Sequence, residues 1–270
     1  MSKGLRYCVN LSMLYTEHPF LDRFAKAASA GFKAVECLFP YEFDLTEVKA
    51  RLENLGLVLV LFNLHAGDTS GGEWGTLSNP QRRAYFRWSF SKALEVAEFL
   101  KCTRLHVMFG NRVESIGRNG QRECAIENLS WAAPLAAEAG VTLLIEALNE
   151  TDFPTFALHR TAEALSIVKQ VNHPQVKLQY DVYHAQMTEG RLINTITTCL
   201  PDIGHIQIAD VPGRHQPGTG EINYPAVLEV LKRLGYSGYV GLEYRPSNDS
   251  DSSLQWLASK ERGRNSHEGI

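Results

Sequence analysis

The chain has 270 residues, carries a net charge of −3 at pH 7 and has a pI near 6.3. That length suits one large core, and the lack of a basic excess argues against nucleic acid as a partner and for a small substrate. No apolar run reaches the roughly 18 residues that span a bilayer and no charged-then-apolar leader opens the chain, so a cytoplasmic protein that stays out of membranes is expected, with a homo-oligomer left open.

Short β-branched or aromatic runs alternate with longer stretches of helical periodicity along the whole chain. In chain order the expected strands lie near residues 5–11, 33–39, 57–64, 104–109, 142–148, 176–182, 204–209 and 238–244. The expected helices lie near 17–30, 46–55, 80–100, 122–139, 161–171, 189–200, 224–234 and 251–261. Eight alternations predict an α/β fold, a closed (β/α)8 TIM barrel in one domain over residues 1–258, rather than an open sheet. Gly31, Gly56, Gly140 and Gly235 stand where helices end before the next strand. From Ser259 onward the chain is polar without an apolar face, so residues 259–270 are expected to form a poorly ordered tail with His267 solvated.

Five cysteines, Cys8, Cys37, Cys102, Cys124 and Cys199, are an odd number, widely spaced and without a Cys-x-x-Cys pair. Buried free thiols in a reducing compartment are expected, with neither disulfides nor zinc-thiolate sites.

Four polar residues stand where apolar runs end: Glu146, Asp181, Gln207 and Glu243. Their separations each match about one strand-loop-helix-loop unit, so consecutive strands would bring them to one rim. An ionised carboxylate within an apolar strand is costly unless paired or metal-bound, and no nearby sequence supplies three matched cations. Oxygen-rich ligation favours a hard divalent cation, Mg2+ or Mn2+, over zinc. Such an ion can hold a carbonyl and a neighbouring oxygen and spread the charge of an enediolate. Glu146 and Glu243 would then act as a catalytic pair, one removing a proton and the other returning it to the adjacent carbon.

Other polar residues surround this rim. His184, three residues past Asp181, could donate to a substrate oxygen. Arg214 and His215 lie in the long loop from Asp210 to Glu221, where a cation could bind a substrate carboxylate. His65, at the end of the third expected strand, is a further candidate of that kind. A second long loop runs from Ala66 to Gly75 and on to Asn79, and both loops would cover the rim. Glu36 reads as a supporting carboxylate and His106 as a satisfied core histidine.

The segments Asn10–Leu14, Phe39-Pro-Tyr41, Gly72-Glu-Trp-Gly75, Gln179-Tyr-Asp-Val-Tyr-His184, Gly204–Asp210, Glu221-Ile-Asn-Tyr224 and Gly241-Leu-Glu-Tyr244 together resemble the hydroxypyruvate isomerase family of xylose-isomerase-like barrels. The likeness runs from the first strand to the eighth. It implies metal ligation by Glu146, Asp181, Gln207 and Glu243, acid/base work by the two glutamates, and interconversion of hydroxypyruvate and 2-hydroxy-3-oxopropanoate. The partner it implies is a small anionic 2-oxo or 2-hydroxy acid. Related ketose 3-epimerases carry histidine where this chain has Gln207. Ile145-Glu-Ala-Leu-Asn149, where the family often has Ile-Glu-Pro-Ile-Asn, resembles relatives that isomerise 2-oxo-tetronates. A metal-dependent abasic-site endonuclease would need clustered metals, many histidine ligands and a basic face; a non-catalytic binding barrel would lack one glutamate of the pair.

Overall fold

The structure, a computed structural model, describes residues 4–263, so His267 lies outside the described residues. In chain order the elements are β1 (Arg6–Asn10), α1 (Phe20–Ser29), β2 (Ala34–Glu36), α2 (Leu45–Leu55), β3 (Val58–Leu59), β4 (Phe62–Asn63), α3 (Arg83–Leu100), β5 (Arg104–His106), α4 (Gly117–Glu138), β6 (Thr142–Glu146), α5 (Thr161–Val171), β7 (Val176–Asp181), α6 (Val182–Thr188), α7 (Leu192–Cys199), β8 (Ile203–Ile208), α8 (Tyr224–Arg233), β9 (Tyr239–Leu242), α9 (Ser250–Ser253) and α10 (Ser259–Arg262).

The strands are parallel and follow the order β3-β2-β1-β9-β8-β7-β6-β5-β4. The two ends of that order are halves of one extended segment, the single third strand expected from the sequence. Its first half pairs with β2 and its second with β5. Val60 N–H donates to Val35 O at 2.8 Å and Asn63 N–H to Leu38 O at 2.9 Å, so the segment bridges both neighbours and the eight strand positions form a (β/α)8 barrel.

Strand side chains alternate between faces, so residues two apart share a direction. Ala34 and Leu144, two residues before Glu36 and Glu146, pack with Cys8, Val60 and Leu61 in a small buried cluster at the N-terminal end of the barrel interior. A much larger apolar cluster fills the layer between strands and helices. The interior therefore passes from apolar to polar towards the C-terminal rim. The register shifts between Leu178 and Gln179, after which Gln179 faces His205 and Asp181 faces Gln207. Gly204 is the extra residue on β8 at this bulge. A Cβ there would lie 2.7 Å from Leu144 Cδ2, so the close approach requires glycine.

Two departures from the expected helices have local causes. Asp181 ends β7 and also caps α6, accepting from Tyr183 N–H at 2.7 Å, so a helix starts directly after the strand and leaves no loop to mark it in the sequence. At the C-terminus one expected helix is two short ones, and residues Ser259–Arg262 of the expected tail are helical. Arg262 holds them there, donating to the carbonyls of Leu254, Leu257 and Ala30. All five cysteines are buried free thiols.

Candidate active site

Glu146, Asp181 and Glu243 leave the ends of β6, β7 and β9 with only 5%, 3% and 6% of their surface exposed, so water screens their charges poorly. Arg214 spans two of them, donating from Nη2 to Asp181 Oδ2 at 3.3 Å and to Glu243 Oε2 at 3.1 Å. Its backbone is left-handed at φ 57°, a conformation that costs energy for a residue with a Cβ and that here turns the side chain inward. Asp210 builds the loop that carries Arg214. Its buried carboxylate accepts from the backbone N–H groups of Val211, Gly218, Gly220 and Ile222.

His184 lies beside the same carboxylates, with Nε2 3.7 Å from Asp181 Oδ2. Its Nδ1 accepts from Asn149 N–H at 3.2 Å, which leaves the ring proton on Nε2, facing the carboxylates. His106 Nε2 stands 3.6 Å from Glu146 Oε2. Burial keeps both imidazoles neutral: His106 is pushed down to about 3 and His184 well below its usual value.

The carboxyls shift the other way. Burial, then the negative charges of Glu243 and Asp181, raise Glu146 well above the usual carboxylate range. Burial also raises Asp181 against the pull of Arg214, and it raises Glu243 to about 8. When all three ionise, the carboxylates exceed the one guanidinium by two negative charges, which is the charge of one divalent cation. Glu146 Oε1 is buried without a hydrogen-bond partner, as is Arg214 Nε. An orphaned acceptor and an orphaned donor among these charged groups fit a cation and an anionic ligand.

Gln207, the fourth expected ligand, lies one step deeper. Its Nε2 donates to Glu36 Oε1 at 2.8 Å and its Oε1 accepts from Gln179 Nε2 at 2.6 Å. Its oxygen is thus turned away from Glu36. Glu146, Asp181 and His184 have donor atoms within 4.8 Å of one another, a spacing one ion could bridge.

Two expected substrate contacts are not brought to this set. His65 stacks on Tyr41 with ring centres 3.7 Å apart and leans on Trp88, so aromatic packing holds it at the outer edge of the rim. His215 Nδ1 is 2.7 Å from Arg245 O, and its backbone closes the loop against Asp210. The sequence reading passed over Asn10, Gln179 and Asp210 as site residues. Alternation offered a signal for Gln179, two residues before Asp181 on an inward face. The loop from Ala66 reaches the site through Trp74, edge-on to Phe153 at 5.7 Å, with Phe153 in turn 5.7 Å from His184.

Residues 24–260 match the family described as xylose isomerase-like TIM barrel. The chain belongs to this family. It is 46% identical over 252 residues to a 2-oxo-tetronate isomerase of Cupriavidus necator, covering 93% of this chain and 97% of that protein. It is 40% identical over 253 residues to the hydroxypyruvate isomerase of Escherichia coli, covering 94% and 98%. A solved structure described as AP endonuclease, family 2, from Brucella melitensis superposes with a TM-score of 0.91 at 42% identity, covering 94% of this chain and 98% of that one. The curated relatives place the chain among isomerases within the family.

Proposed function

We propose that the protein is a divalent-metal-assisted isomerase that moves a carbonyl between neighbouring carbons of a short 2-oxo acid, interconverting hydroxypyruvate and 2-hydroxy-3-oxopropanoate. Two buried atoms without a hydrogen-bond partner carry this reading: Glu146 Oε1 suits a cation and Arg214 Nε–H suits an anion. Glu146, Asp181, Glu243 and Gln207 would hold Mg2+ or Mn2+. When bound, the ion supplies charge to polarise the carbonyl and stabilise an enediolate.

The protein's own residues do the rest. One glutamate of the pair Glu146 and Glu243 takes a proton from the hydroxyl-bearing carbon, and the electron pair left behind forms the enediolate double bond. The other returns a proton to the former carbonyl carbon while the hydroxyl proton passes between the two oxygens, so no oxidant or reductant is consumed. A carboxyl raised by its surroundings stays protonated near neutral pH and can serve as the acid. His184 donates from Nε2 to the developing oxyanion, and Arg214 offers its Nε–H to the substrate carboxylate.

The 46% identity to a 2-oxo-tetronate isomerase favours a second reading, the same carbonyl shift on a substrate one carbon longer. Net charge −3 offers no basic face for DNA and disfavours an endonuclease reading. The deciding experiment assays hydroxypyruvate and 2-oxo-tetronate side by side, with and without a chelator. Turnover of hydroxypyruvate that stops on chelation and returns with Mg2+ or Mn2+ is expected. Better kcat/KM on 2-oxo-tetronate selects the longer substrate, and turnover that persists in verified metal-free protein removes the metal from the mechanism.

A further inference from the structure

Beneath the rim, Glu36 has no surface exposure yet lies among polar groups that all give to it. His205 Nε2 lies 2.7 Å from its Oε2, Cys8 Sγ–H donates to the same oxygen at 3.2 Å, and Oε1 accepts from Gln207 Nε2 at 2.8 Å and Asn10 Nδ2 at 3.2 Å. Its two oxygens thus take four donor contacts. The space it fills is provided by Gly241, where a Cβ would lie 2.6 Å from Oε1 and 2.7 Å from Oε2.

Two branches lead from Glu36 to the residues at the rim. In the first, both oxygens of Glu36 are engaged as acceptors, so Gln207 turns its NH2 towards Glu36 and its oxygen away. That oxygen is the atom a hard cation would use. In the second, the Asn10 amide nitrogen donates both to Glu36 Oε1 and to Glu243 Oε1, the latter at 3.3 Å. We propose that Glu36 is a positioning residue for the reaction: it fixes the direction of the Gln207 amide and, through Asn10, the place of the Glu243 carboxylate.

The inference rests on the isomerase reading above, and its test separates the two. Glu36→Gln keeps the shape but can donate as well as accept, so the Gln207 amide loses its one-way partner and is directed only by Gln179, itself an amide that can turn. Asn10→Ala removes the link to Glu243 together with one of the four donors to Glu36 and the acceptor for Ser12 N–H, and leaves Gln207 bonded to Glu36. Mn2+ binding is measured by calorimetry and turnover on hydroxypyruvate is measured with melting curves on the same samples. Removing groups that orient ligands typically costs about 10–100-fold in metal affinity or activity. Glu36→Gln is expected to lose on that order in Mn2+ affinity and in kcat. Asn10→Ala, which disturbs Glu243 and leaves the Gln207 amide bonded to Glu36, should lose on that order in kcat, with a smaller fall in Mn2+ affinity than Glu36→Gln. A purely structural role would lower the melting temperature and leave affinity and kcat per folded molecule alone. Folded variants with wild-type affinity and kcat overturn the proposal, and if Glu36→Gln does not fold, an unchanged kcat in Asn10→Ala overturns it alone. Wild-type protein that takes up no Mn2+ overturns the metal reading instead, while the kcat comparison still decides for or against Glu36.

Discussion

At the scale of single residues, three carboxyls are kept from ionising freely by their own proximity and burial. Glu146→Gln and Glu243→Gln keep shape and remove proton transfer, so each should lower kcat by about two to four powers of ten. Glu146→Gln should not cost stability in chelated protein, since it removes a carboxyl that burial already penalises, whereas Glu243→Gln also gives up the ion pair with Arg214. A variant that turns over near the wild-type rate at saturating metal would strike that residue from the acid/base pair. Arg214 has two tasks at this scale, bridging Asp181 and Glu243 while keeping Nε unpartnered. A charge-assisted contact to a substrate carboxylate is worth roughly 1.5–3 kcal/mol, so Arg214→Ala should lower kcat/KM for a 2-oxo acid by about one to two powers of ten. Removing a cation should not weaken Mn2+ binding. Loss of Mn2+ affinity in step with kcat/KM would show that the guanidinium shapes the metal site rather than reading the substrate.

At the scale of elements, the loop from Asp210 to Glu221 is organised by one buried carboxylate that collects four backbone N–H groups. Asp210→Ala leaves those donors without a partner, at roughly 1–3 kcal/mol for each one that water fails to reach. The loop then no longer holds Arg214 in its left-handed conformation. The expected outcome is a lower melting temperature with an Arg214→Ala-like fall in kcat/KM, and a smaller effect of both kinds in Asp210→Asn, which retains an acceptor. Wild-type kcat/KM in a measurably destabilised Asp210→Ala protein would separate the loop's architecture from the seating of Arg214.

At the scale of the whole molecule, the buried charge links stability to pH and to metal. Glu243 binds its proton with a pKa of about 8 in the folded chain against an ordinary 4.5. Through that interval the folded state holds a proton the unfolded state has lost, so stability falls as pH rises. His106 and His184 act in the opposite sense: they are kept neutral, and their contribution is lost as pH falls below their usual 6.5. From about pH 6.5 to about pH 8 the carboxyls therefore act without that opposition. Chelated protein should melt at a lower temperature at the upper end of this window than at the lower end. Saturating Mg2+ or Mn2+ should raise the melting temperature most at the upper end, because the ion competes with the proton for the carboxylates. A flat profile in chelated protein, scanned across the window, would count against the buried carboxyls being its main titrating groups.

The sequence by itself determined the alternation of strands and helices, the eight-part barrel, the convergence of Glu146, Asp181 and Glu243 on one rim, and the two long loops over it. These are local properties, because strand and helix leave periods of two and about 3.6 in any window, and equal spacing of strands carries their ends to the same side. Helix α6 escaped that reading because Asp181 is at once the end of a strand and the cap of the next helix. Only the tertiary structure decided which way side chains far apart in the chain turn towards each other. It set Arg214 between Asp181 and Glu243, drew His65 to Tyr41 and His215 to the Arg245 carbonyl, and rooted Gln207 and Asn10 on Glu36. No local pattern encodes these choices, since each depends on a partner dozens to hundreds of residues away. A buried polar group takes whichever partner the closed barrel brings within hydrogen-bond reach.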